Sequence, residues 1–405
     1  MRDMAPLPGT SFDLCVVGAG VSGLCLARAA ARAGQKVIVL ERRPEAGGCL
    51  SSAPVPPAGV LELGAHTCYN SYTQFLGLAE EAGFLALPSP RKGLGFRMVV
   101  GGKVRSIGSC LNVLEAAVSV PKAFWTRKEG LTVEGYYGRI LGRGNWDRVL
   151  HPALNAVASQ ETAGFPAGAL FQKRPSRRKE VLRSFAVRGG LGPAVQALAE
   201  HPGIHLAAGR EAAGLARTGD GFRVRTGLGE EIAAKRVALA VPAPEAAALA
   251  AADFPGVAEV LGRIRTVTVR TLGLVLADPL PHLPRLTGLI LPEGPCFSAV
   301  SGDAFPVEGK RAWSFHFRGD RDDSEAAMRA YACQVLGADP ARIEAAHRRD
   351  HTMPALALGH EAWLAELDRA LAGQDLLVAG NYLSGMSIED CAGRALREWA
   401  RATGA

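Results

Sequence analysis

Apolar positions along the chain follow two rhythms, continuous or alternating runs that suit strands and wider spacings that suit helices. Leu14 to Val17 is a short apolar run of the buried-strand kind, Ala27 to Gly34 is alanine-rich and stops at a glycine as a helix does, and Val37 to Leu40 is a second apolar run. From Ser106 to about Arg183 the spacing turns mainly helical. Ile204 to Thr226 then reads as a strand followed by a hairpin turned at Gly219-Asp220-Gly221, and Arg236 to Ala251 as strand, proline turn and helix. Alternation between Thr266 and Phe317 predicts a second, antiparallel sheet, with a helix from Asp322 to Gly337 packed on it and a last buried strand at Leu376 to Ala379. The predicted fold class is α/β, a Rossmann-like sheet interrupted by a helical insert and by an antiparallel sheet.

Composition narrows the setting. A chain of 405 residues with 48% hydrophobic and 21% charged residues is expected to bury large cores in two or three domains. The net charge of +7 is not organised into a nucleic-acid module, so nucleic acid is not expected and anionic surfaces or carboxylated ligands remain. Eight cysteines without CxxC pairs indicate neither a metal site nor a disulfide framework, which suits a reducing cytoplasm. The opening MRDMAPLPGT lacks an apolar signal core, and no run is long enough to span a membrane. Val113, Leu114, Ala117, Val118, Val120, Phe124 and Trp125 lie near Lys122, Arg127 and Lys128, a mixture compatible with peripheral contact at the inner face of the membrane and equally with core packing. A homodimer is left open.

Between the first strand and helix stands Gly18-Ala19-Gly20-Val21-Ser22-Gly23. In that context the glycines serve a tight turn, a close approach to a pyrophosphate and helix-to-strand packing, and Glu41 at the end of the second strand suits a ribose hydroxyl. A carboxylate there favours FAD or NAD over NADP, although Arg42 and Arg43 follow it.

Gly47, Gly48, Glu62 and Gly64 extend this fingerprint, and the whole resembles that of the flavin-dependent amine oxidase superfamily. The resemblance implies a discontinuous GR2-type FAD-binding domain (1–90, 186–262 and 368–405), a substrate-binding antiparallel sheet domain (91–105 and 263–367) and a helical insert (106–185). It further implies cofactor contacts from Val21, Ser22, Cys49, Ala65, His66, Ala212 near the adenine, and Val241. One departure stands out: the superfamily usually carries arginine where this chain has Cys49, so Arg42, Arg43 or backbone amides must supply the positive potential.

The C-terminal Gly380-Asn381, Gly385, Met386, Ser387 and Asp390-Cys391 resemble the protoporphyrinogen oxidase branch, with Ser387 and Asp390 spaced as a capping box. That branch implies hydride transfer from a carboxylated porphyrinogen, protoporphyrinogen IX or coproporphyrinogen III, to flavin N5, then reoxidation by oxygen or another acceptor. Such a substrate is anionic and largely apolar, with Arg97 and Arg188 as candidate anchors. The flavin carries the chemistry, so His151, His205 and His316 are read as packing or surface residues, while His66 stays a candidate for meeting substrate. Alternatives are a desaturase of carotenoid or squalene type, an amine oxidase, and a non-enzymatic FAD-binding partner protein.

Overall fold

The computed structural model describes residues 7, 9–57, 59–84, 88–90, 94–278, 280, 282–321 and 324–404. The expected domain boundary at 91 and the first two residues of the expected helix, 322 and 323, lie outside them. In chain order the elements that frame the site begin with β1 (Ser11–Val17), α1 (Val21–Arg32), β2 (Val37–Glu41), α2 (Thr73–Glu81), β3 (Phe96–Val100) and β4 (Lys103–Ser106). Two helices of the insert follow, α3 (Val113–Ser119) and α4 (His151–Ala158), then β5 (Ile204–Ala208), β6 (Ala212–Thr218), β7 (Gly221–Thr226), β8 (Glu231–Leu239) and α5 (Ala243–Ala250). The chain continues through β9 (Thr266–Ala277), β10 (Gly288–Ile290), β11 (Cys296–Ser301), β12 (Lys310–Arg318), α6 (Glu325–Leu336), β13 (Ile343–Pro354), β14 (Leu376–Val378) and α7 (Ile388–Thr403).

The first sheet runs β5-β2-β1-β8-β7-β6, with β14 paired to the far end of β8. Its centre is parallel, and β2 is buried along its whole length because both faces are covered. Alanine-rich α1 and amphipathic α7 pack on one face around Leu24, Leu26 and Trp399. On the other face α5, with the helices Pro255–Gly262 and His360–Leu371, closes over Ile38, Leu239 and Val378.

The second sheet runs β13-β9-β12-β11-β10-β3-β4. It is mixed rather than purely antiparallel, since β3 pairs parallel with β10. A parallel neighbour needs a long crossover, and the helical insert and the first sheet's later strands supply it. The sequence reading also assigned no strand to Ile343–Pro354, which forms the twelve-residue edge strand β13 along β9. Register divides the second sheet cleanly. Met98, Ile290, Ser298, His316, Thr271 and Arg349 form one row across it, and Arg97, Leu289, Ala299, Phe315, Leu272 and Arg348 form the adjacent row on the opposite face. Helix α6 packs on the Leu289 face, through Met328 against Leu272 and Phe315.

Candidate functional site

At the carboxyl ends of β1 and β2 three glycine segments interlock. Gly18 adopts φ 104°, and a side chain there would lie 2.5 Å from the Ala240 carbonyl oxygen. Gly20 and Gly48 approach so closely that a Cβ on Gly48 would stand 3.0 Å from the Gly20 Cα. The Gly47 N–H donates to Ala19 O at 2.8 Å and the Ala65 N–H to Cys49 O at 3.1 Å, joining Gly64-Ala65 to the same cradle. Helix α1 starts at Gly20 with no side-chain cap and no acid in its first turn, so its N-terminal amides face this cradle. Val21 and Ser22 are buried in that first turn.

Glu41 is buried, with one carboxylate oxygen accepting the Ala19 N–H and the other the Arg43 N–H, each at 2.9 Å. The following strand pair is tied to it, since Gly209 N–H donates to Arg43 O and Arg210 N–H to Glu41 O, which brings Ala212 alongside. Val241 packs where a Gly18 side chain would be. This backbone-lined, glycine-walled cradle with a carboxylate at one end fits the pyrophosphate and ribose of a flavin dinucleotide.

The C-terminal segment meets the cradle from the other side. Asn381 Nδ2 lies 3.8 Å from the Met353 sulfur, itself 3.7 Å from Cys49 Sγ, so β13 bridges the two ends of the chain. Ser387 and Asp390 form a reciprocal capping box at the start of α7, and Arg174 clamps Asp390 at 2.6 Å. Gly385, at φ 134°, lies against the Asp390 carboxylate. The neighbouring Glu389 turns away and accepts the backbone N–H groups of Gln74 and Phe75 at 3.0 and 3.1 Å, capping α2. Gly380 abuts the Tyr382 ring, and Met386 packs with Trp146 and Leu154 of the insert and with Leu356 beyond β13.

Opposite the cradle stands the His316 face of the second sheet. His351 donates Nε2–H to Leu63 O at 2.6 Å, and Ser314 Oγ donates to Glu62 O, which hold the sheet against the segment ending at His66. The His66 and His316 rings run nearly parallel, centroids 6.3 Å apart, and His316 Nδ1 lies 3.0 Å from Thr271 Oγ1. Burial, reinforced by His66 and His351, pushes the His316 pKa down to about 3, and burial pushes that of His351 down to about 4. Both are therefore neutral hydrogen-bonding groups at neutral pH. Ser298 Oγ and Gln160 Oε1 are buried without a hydrogen-bond partner among the described residues, while Gln160 Nε2 reaches Pro354 O and the Met386 sulfur.

Several expected residues stand elsewhere. Arg97 is exposed and shares its face with Leu289 and Phe315, away from His316, because adjacent positions of a strand point to opposite faces. Arg188 is exposed and lies over the Phe305 ring at 4.9 Å. Arg42 turns to Glu245 at 3.8 Å, and Arg43 donates to Asp350 O at 3.2 Å. Cys49 is turned toward Met353, and burial raises its pKa, so the thiol stays neutral. His316, read from sequence as a packing residue, is buried on the face opposite the cradle, and Arg349, His351 and Met353 were not anticipated because their strand was not.

The chain's residues 21–274, more than half of it, match the family model described as flavin containing amine oxidoreductase. Among characterised proteins it is similar to an L-amino acid dehydrogenase of Synechocystis sp., 32% identical over 22% of this chain and 18% of that one. It is also similar to the sarcosine oxidase subunit alpha of Corynebacterium sp., 42% identical over 17% and 7%. The match thus spans less than a fifth of either relative. Whole-chain likeness lies with solved structures. One described as "Putative protoporphyrinogen oxidase from Exiguobacterium sp. 255-15" has TM-score 0.78 at 16% identity, covering 97% of this chain and 98% of that one. A reduced UDP-galactopyranose mutase has TM-score 0.75 at 15% identity, over 97% and 96%. A putrescine oxidase bound to putrescine has TM-score 0.68 at 15% identity, over 98% and 100%. At these identities the likeness shows the fold alone. With that fold, a dinucleotide cradle built from its glycine segments and a family match over most of its length, the chain belongs to the flavin-containing amine oxidoreductase family.

Proposed function

We propose that the protein is an FAD-dependent oxidoreductase whose substrate lies between the cradle and the His316 face of the second sheet. The observation that carries this reading is the convergence of the Gly18-to-Gly23 turn, the Gly47–Cys49 and Gly64–Ala65 segments and Asn381 around one glycine-walled cradle. FAD, when bound, supplies the hydride acceptor. The residues' own work is to hold and shield it. Glu41 receives the ribose, the α1 amides receive phosphate, and the Arg174-clamped start of α7 fixes the Gly385–Ser387 backbone. His316, Ser298 and Gln160 offer the substrate neutral hydrogen-bonding groups, and His66 lies beside them.

A porphyrinogen is the substrate class that the C-terminal segment supports, and Met98, Ile290, Met386 and Leu356 give the surroundings the apolar character it needs. An amine is the second reading. Favouring it, the row carries no cation from Met98 through Ile290, Ser298 and His316 to Thr271, its one arginine being Arg349 at the edge strand, and Arg97 is on the other face. Along that central stretch carboxylates would lack the anchor expected of Phe96–Val100, whereas an amine would meet no like charge.

The test is anaerobic mixing of FAD-loaded protein with protoporphyrinogen IX, coproporphyrinogen III, and a panel of primary amines and amino acids. Bleaching of the flavin absorbance by a porphyrinogen is expected on the first reading and bleaching by amines alone on the second. Bleaching by neither class would remove both, and a protein that elutes from gel filtration without FAD would remove the cofactor assignment.

A further inference from the structure

We propose that Arg349, delivered by the edge strand β13, is the cation that faces the cofactor's phosphates in place of the arginine that the fingerprint lacks at Cys49. The proposal rests on the FAD reading and adds a phosphate-binding residue from the second sheet. At position 49 stands a neutral thiol turned to Met353, which can neither neutralise a phosphate nor donate a strong hydrogen bond to it. The two arginines nearest in sequence are engaged, Arg42 with Glu245 and Arg43 with the Asp350 carbonyl.

Arg349 is held from both sides. The Arg43 contact pins the backbone at residue 350, and the His351 Nε2 bond to Leu63 O pins the strand two residues on. Arg349 shares its strand face with His351, so it is directed toward the cradle rather than toward α6. Its Nε is buried with no hydrogen-bond partner among the described residues. The ionisable groups that act on it are Arg43, Glu45, Glu41 and Cys49, the rim of the cradle itself. Both Glu41 carboxylate oxygens already accept backbone N–H groups. Two guanidiniums side by side repel, and burial together with Arg43 lowers the Arg349 pKa. A pyrophosphate on the cradle, paired with Arg349, would offset that repulsion.

The test measures the FAD dissociation constant of the apoprotein by quenching of flavin fluorescence. Arg349→Met is expected to weaken FAD binding about 10- to 100-fold, the size of a hydrogen-bonded charge contact, with the apoprotein unfolding at the wild-type temperature. Adding Cys49→Arg to that variant is expected to restore affinity to within a few-fold. Arg349→Gln carries the same expectation and replaces Arg349→Met if that variant loses its unfolding transition. Affinity within twofold of wild type in the single variants, or a loss that Cys49→Arg does not recover, overturns the proposal. Wild-type apoprotein that binds no FAD overturns the FAD reading as well.

Discussion

Two buried imidazoles make this protein sensitive to acid. An ordinary histidine protonates near pH 6.5, whereas His316 and His351 stay neutral down to about 3 and 4 because burial penalises their charged forms. Between those limits the unfolded chain binds protons that the folded chain does not, so stability is lost as pH falls below about 6.5. The loss approaches about 1.4 kcal/mol per pH unit for each residue. Urea unfolding at pH 7.5 and pH 5 is therefore expected to show a clear drop in midpoint, and His316→Gln is expected to flatten it; an unchanged slope in the variant would assign the acid sensitivity to other groups. Residue placement was partly legible. Gly18, Gly20, Gly23 and Glu41 could be placed together at the ends of β1 and β2 because their positions depend on neighbours close in sequence. Arg97 could not, since a shift of one residue along a strand reverses the face a side chain occupies, and only the pairing with Leu289 sets it.

At the scale of elements, the start of α7 joins two helices. Its capping box closes its own terminus, and Glu389 reaches across to cap α2, whose N-cap position is Tyr72 and has no side-chain bond of its own. Glu389 is buried, and burial raises its pKa against the lowering effect of those backbone bonds. Replacing it with alanine is expected to destabilise the protein by about 1–3 kcal/mol, as the loss of a buried charged cap does, read as a lower urea midpoint with an unchanged slope. The capping box itself was visible in the spacing of Ser387 and Asp390, but the second cap was not, because its partners lie more than three hundred positions away. Strand β13 escaped for a different reason. Its sequence, IEAAHRRDHTMP, lacks the apolar alternation that marks a half-buried strand, since this edge strand turns histidines and an arginine toward the glycine cradle.

For the whole molecule, the insert leaves an apolar face uncovered. Leu114, Phe124 and Trp125 are 81%, 88% and 70% exposed, with Val113 and Val118 beside them, so the core-packing account of these positions does not hold. No helix among the described residues is long and apolar enough to cross a membrane. Exposed Lys122 and Arg127 flank this face, whereas Lys128 turns inward to the Leu170 carbonyl. Basic residues beside exposed aromatics favour an anionic bilayer as the partner. Co-sedimentation with vesicles containing phosphatidylglycerol is expected for the wild type and strongly reduced for the Phe124→Ser, Trp125→Ser double variant; wild-type protein that stays in the supernatant and elutes as a dimer would make the face a self-association surface instead. By itself the sequence determined the α/β class, the glycine turn after the first strand and the family kinship, because these rest on local backbone geometry and short-range periodicity. Only the tertiary structure decided which arginine the edge strand brings beside the cradle, which face of the second sheet meets it and that two histidines there stay neutral, since sheet register, burial and long-range charge exist only once the distant strands have paired.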